Sequence, residues 1–140
     1  MAIPARLESI IETFQESDKR EKIELLLDYS ENMPGLPERI QAQHDSMDFV
    51  EECMTPVYVT SEIEEGGFRF YFDVPPESPT VRGFAAILGE GLLGATAEQI
   101  LSVPNDFYRQ LGLEDVLTMQ RLMGFNALLA YIKRIAARSL

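Results

Sequence analysis

Between Val57 and Val74 the chain carries a pattern that few folds can absorb. Val57, Val59 and Ile63 fall on one parity, Glu64-Glu65-Gly66-Gly67 supplies turn chemistry, and Phe68, Phe70, Phe72 and Val74 return on alternate positions. Apolar residues at every second position mark a strand with one buried face, so the segment predicts a β-hairpin. Pro56 can only open the first strand or stand at an edge, because it has no N–H to give a ladder. A two-stranded ribbon is marginal in water, so the phenylalanine-rich face must be covered by a third strand and by helices. A weaker alternation over residues 46–51, with Met47, Phe49 and Glu51 on one side, offers that third strand.

The covering helices are legible on both sides of the hairpin. Leu7, Ile10, Ile11 and Phe14 form one helical stripe that Pro4 can start. Asp18 and Glu21 have capping-box spacing before a second helix, with Ile23, Leu26, Leu27 and Ser30 on its face. Asn32-Met33-Pro34-Gly35 stops it, and residues 36–43 show no period and read as irregular. After Pro75-Pro76, Ser78 and Pro79 read as N-cap and first helical residue. That helix carries Val81, Phe84, Ala85 and Leu88 to Gly89-Glu90-Gly91. Thr96 and Gln99 make a second capping box for a short helix ending before Pro104, and Gly112 closes a further turn. Thr118 caps the last helix, whose stripe runs through Met119, Leu122, Phe125, Leu129, Ile132 and Ala136. Helices, meander, then helices is the order of an α+β fold: a small antiparallel three-stranded meander packed against helices.

At 140 residues the chain fits a single domain spanning 1–140, with 46% hydrophobic and 25% charged residues, so a packed core is expected. Its formal net charge of -11 repels phosphate backbones and anionic lipid alike, so no nucleic acid and no membrane partner are expected. With one cysteine no internal disulfide can form, and the first residues lack the apolar run of a signal peptide. A reducing, cytoplasmic setting is the natural expectation.

That single cysteine, Cys53, lies between Glu51-Glu52 and Thr55-Pro56, a setting that suits the tip of a connection. The flanking carboxylates disfavour the thiolate by like-charge repulsion, so nothing local activates it and chemistry there would need a partner. A lone cysteine is equally compatible with a small buried hydrophobe. One cysteine and one histidine cannot build a zinc or iron–sulfur site within the chain, so no metal and no cofactor are expected. The acidic residues Asp45, Asp48, Glu51 and Glu52 lack the spacing of a calcium loop and read as a solvated face. No phosphate loop, Ser-His-Asp set or HExxH motif is present, and an independent enzyme is not expected.

Three stretches together resemble one family. They are Val50-x-x-Cys53-x-Thr55-x-Val57-Tyr58, Ser78-x-x-Val81-Arg82-Gly83, and Leu117-Thr118-x-x-Arg121-x-x-Gly124-Phe125. In this order, with a hairpin between the first two, they resemble the SufE family of sulfur-acceptor proteins, whose architecture is shared by NifU-like scaffolds. The resemblance implies that Cys53 takes sulfur from the persulfide of a SufS-type cysteine desulfurase, stimulates that enzyme, and passes the sulfur to a SufBCD-type scaffold for iron–sulfur clusters. Pyridoxal phosphate would belong to the desulfurase. Glu51, Glu52, Thr55, Arg82, Arg121 and Gly124 would then form the partner-binding surface around Cys53. A persulfide carrier needs one thiol and no resolving cysteine beside it, which this chain satisfies. The alternative is a non-catalytic adaptor of the same fold in which Cys53 is incidental; a cluster scaffold is disfavoured because scaffolds hold iron through several ligands.

Overall fold

The computed structural model describes residues 3–50 and 55–140. The helices are α1 (Ala5–Gln15), α2 (Lys19–Glu31), α3 (Glu38–Gln41), α4 (Pro79–Gly91), α5 (Ala97–Leu101) and α6 (Met119–Ala137); the strands are β1 (Asp48–Val50), β2 (Val57–Glu64) and β3 (Gly67–Asp73). The strands form one antiparallel sheet in the order β1-β2-β3, the expected meander. Glu64 pairs with Gly67, and Glu65 and Gly66 between them both have positive φ, 54° and 81°, as a twist-matched two-residue hairpin turn requires.

Along β2 and β3 the predicted alternation holds: Val57, Val59, Phe68, Phe70 and Phe72 are all buried. Ile63 departs from it at 53% exposure, because it lies at the turn end of the ribbon. β1 forms where the weak alternation placed a strand, but with the opposite face inward. Val50 is fully buried beside Val57, while Phe49 stands 43% exposed against the Tyr58 ring at 5.2 Å. Pairing decided this: Val50 opposite Val57 must share the core face of its partner.

Leu7, Ile10, Ile11 and Phe14 are buried along α1, as their spacing predicts. Both capping boxes form, at Asp18 with Glu21 and at Thr96 with Gln99, each satisfying orphan N–H groups of a helix start. On α2, Leu26 and Ser30 face inward and Leu27 faces out. The segment read as irregular contains α3, a single turn begun at Pro37 and anchored by Ile40, too short to display a period. Gly83 explains its own presence in the middle of α4: a Cβ there would collide with the carbonyl oxygen of Leu26, so glycine lets α4 and α2 touch backbone to side. α6 closes the other side of α4 by stacking Phe125 on Phe84, ring centroids 4.3 Å apart and nearly parallel. No helix among the described residues is long and apolar enough to cross a membrane.

Candidate functional site

The starts of α4 and α6 converge beside the entry to β2. Between them lies a cavity of about 550 Å³ lined by residues of three chain segments: Thr55, Glu77 to Val81, and Thr118 to Phe125. The Phe84–Phe125 stack sets the distance between the two helices and therefore the width of the cavity.

Each wall is positioned by local chemistry. Pro79 opens α4 at its first helical position, where the missing N–H costs nothing. Ser78 occupies the N-cap position but caps no backbone N–H. Its Oγ instead accepts a hydrogen bond from the Thr55 hydroxyl at 3.2 Å, tying the chain entering β2 to the start of α4. Across the cavity, Thr118 caps α6 by accepting from the Arg121 N–H. One turn in, the Arg121 guanidinium donates to the Thr80 hydroxyl at 2.8 Å, which links α6 to α4 over the cavity mouth. Gly124 lies on the same wall, half-buried.

Two helix N-termini and one guanidinium thus surround a single cavity. Helix N-termini carry partial positive charge and Arg121 a full one, so the site favours an anion, and a thiol entering it would be drawn toward the thiolate. Glu77, exposed at the rim, is its acidic neighbour.

Of the residues singled out in the sequence, Thr55, Arg121 and Gly124 are brought together here. Arg82 is not among them. Its guanidinium donates to the main-chain oxygens of Ser30, at 2.9 Å, and of Val74, tying α4 to the end of α2 and to the residue after β3. Cys53, Glu51 and Glu52 lie outside the described residues.

Met119 and Met123 were missed as surface groups. The helical stripe puts Met119 with the core residues, yet it is 65% exposed and Met123 63%, because Leu122 and Phe125 take the inward face of the same turns; Met123 also lines the cavity. Methionine pairs apolar surface with a flexible stem, a composition suited to a changeable contact. Among the described residues no group of three or more His, Cys, Asp or Glu could hold a metal ion.

An antiparallel three-stranded sheet under helices, with a cavity where two helices begin, describes a small α+β protein. Comparison with known proteins then names the class. The family model for SufE, described as an Fe-S metabolism associated domain, matches residues 8–136, and the chain belongs to that family. It is 38% identical over 134 residues to an uncharacterised SufE-like protein of Mycobacterium tuberculosis, covering 95% of this chain and 92% of that protein. A SufE-like protein of Synechocystis is 31% identical over 124 residues, 88% of this chain and 75% of its own length. The solution structure of a hypothetical protein from Thermus thermophilus superposes with a TM-score of 0.84 at 36% identity, covering 98% of this chain and 97% of that one.

Proposed function

We propose that the protein accepts sulfur from a cysteine desulfurase onto Cys53, stimulates that enzyme, and passes the sulfur to an iron–sulfur cluster scaffold. Membership of a family associated with iron–sulfur metabolism supports the general role. The observation that carries the specific reading is the convergence of Thr55, Arg121 and Gly124 on one cavity. Chain connectivity alone keeps a residue two positions before Thr55 within about 7 Å of it, Cα to Cα.

The transfer balances without an external oxidant or reductant. The Cys53 thiolate attacks the outer sulfur of the desulfurase persulfide, forming a new S–S bond. The bond from that sulfur to the desulfurase cysteine breaks, and its electron pair leaves with the desulfurase as a thiolate. Delivery to a scaffold is the same exchange with this chain as the leaving thiolate. The anion-favouring cavity lowers the cost of the thiolate and of the persulfide anion, and Arg121 suits contact with a carboxylate or with the transferring sulfur. Glu51, Glu52, Thr55, Arg121 and Gly124, with Met119 and Met123, make the surface a SufS-type desulfurase would cover. Arg82 acts at one remove by fixing α4.

The reading is tested by incubating the protein with a SufS-type desulfurase and cysteine and measuring intact mass. A gain of about 32 Da, removed by a reductant, supports persulfide carriage. An unchanged mass alongside normal desulfurase stimulation would leave only the adaptor role.

A further inference from the structure

A second cavity, of about 560 Å³, shares no lining residue with the first. Four consecutive residues of β3 line it: Arg69, Phe70, Tyr71 and Phe72. Neighbours along a strand send their side chains to opposite faces, so a cavity that touches all four must lie along the edge of the strand. The opposite wall comes from the ends of α2 and α4, including Tyr29 and Glu90, from Leu93, and from the segment after α2 through Met33, Pro34 and Leu36.

The hairpin register fixes what this edge presents. Because Glu64 and Gly67 close a two-residue turn, they exchange hydrogen bonds, and bonded pairs then alternate with non-bonded ones along β2 and β3. Phe68, Phe70 and Phe72 fall in the non-bonded pairs, so their N–H and C=O groups point away from β2. Phe68 confirms the parity. Its N–H donates to the Ala95 carbonyl at 2.9 Å and its carbonyl accepts from the Gly94 N–H at 2.8 Å. Farther along, the Val74 carbonyl is taken by Arg82. Both flanking rungs are therefore used by the chain itself, and among the described residues no backbone group bonds the N–H and C=O of Phe70 and Phe72 on this side.

The charges along the groove point to one kind of occupant. On the outer face of β3, Arg39 is paired with Glu62 at 2.7 Å, whereas Arg69, opposite Glu62 in the register, makes no ion pair among the described residues. On the helix side, the Tyr29 hydroxyl donates to Glu90 at 3.0 Å, and Arg6 lies with Asp28 and Glu90 on the lining. The strand side is thus left with Arg69, which shares the field of Glu62 with Arg39 but makes no ion pair of its own among the described residues, and the helix side presents Tyr29 and Leu93.

We infer that this groove takes an extended peptide segment of a partner protein, which pairs with Phe70 and Phe72 as an added strand, sets an acidic side chain beside Arg69 and turns apolar ones toward Tyr29 and Leu93. Strand addition gives affinity through the main chain and selectivity through alternate side chains.

The test titrates the isotope-labelled full-length protein with a capped heptapeptide, Thr-Val-Glu-Val-Glu-Val-Thr, and reads amide exchange by NMR. Saturating peptide should slow exchange at Phe70 and Phe72 about tenfold or more, as new hydrogen bonds require. A twin N-methylated on the edge-facing amides, and a twin with lysine for glutamate, should each bind about tenfold more weakly. Arg69→Glu should reverse the preference between the acidic and basic peptides. Unchanged exchange at both phenylalanines, or equal binding of the N-methylated twin, would overturn the inference. So would protection that rises with protein concentration in the absence of peptide, which would assign the edge to a second copy of the chain.

Discussion

Ser78 stands at the N-cap of α4 but gives its hydroxyl oxygen to Thr55, 3.2 Å away, instead of to the helix. The contact joins the first described residue after Cys53 to the wall of the cavity. A residue type chosen for capping is thus used to anchor the chain that enters β2.

This arrangement separates Ser78 from the true caps. Asp18→Ala and Thr96→Ala each remove an oxygen that satisfies a helix N–H and should cost about 1 kcal/mol. Ser78→Ala removes only the contact with a partly exposed hydroxyl and should cost within about 0.5 kcal/mol. Urea denaturation of the three variants checks the order; a Ser78→Ala loss equal to the other two would show that its hydroxyl supports the helix after all.

The two arginines of the family pattern should part company. Arg82→Met removes donors from the carbonyls of Ser30 and Val74 and should lower stability by about 1.5–3 kcal/mol. Arg121→Glu, at an exposed position, should change stability by about 0.5 kcal/mol at most while weakening stimulation of the desulfurase. Melting temperature and desulfurase turnover, measured on both variants, distinguish the roles. A large drop in melting temperature for Arg121→Glu would make it structural.

Alkaline pH should act through Tyr29. Burial first, and then the carboxylate of Glu90, raise its pKa well above the ordinary 10.0, so the folded chain holds the phenolic proton more tightly than the unfolded chain does. Stability tied to that proton is complete below the unfolded pKa and is lost as the pH rises from there toward the folded value. Between about pH 9 and about pH 11 the urea midpoint of the wild type should therefore fall more steeply than that of Tyr29→Phe. Parallel curves would contradict this.

The hairpin, both capping boxes and the stripe of α1 were legible in the sequence because each is a local pattern with one physical solution. The faces of β1 and of the first turn of α6 were not. Phe49 and Met119 have the composition of core residues, and only the pairing of Val50 with Val57, and the way Leu122 and Phe125 take the inward face of α6, turn them outward. The site was legible in part. The resemblance put Arg82 and Arg121, from two separate stretches, on one partner-binding surface, but a motif does not fix the direction of a side chain. Arg82 points to Ser30 and Val74 while Arg121 reaches Thr80. Ser78 was read correctly as the N-cap position and incorrectly as a capping side chain, since the competing hydroxyl of Thr55 comes from far along the chain.

The most direct measurement compares wild type with Cys53→Ser, using desulfurase turnover and intact mass in the same incubation. Serine keeps the approximate size of the side chain and removes the sulfur that can bond a second sulfur. Wild type should stimulate turnover and gain about 32 Da, whereas Cys53→Ser should do neither. A serine variant that stimulates turnover as strongly as wild type would contradict sulfur carriage by Cys53.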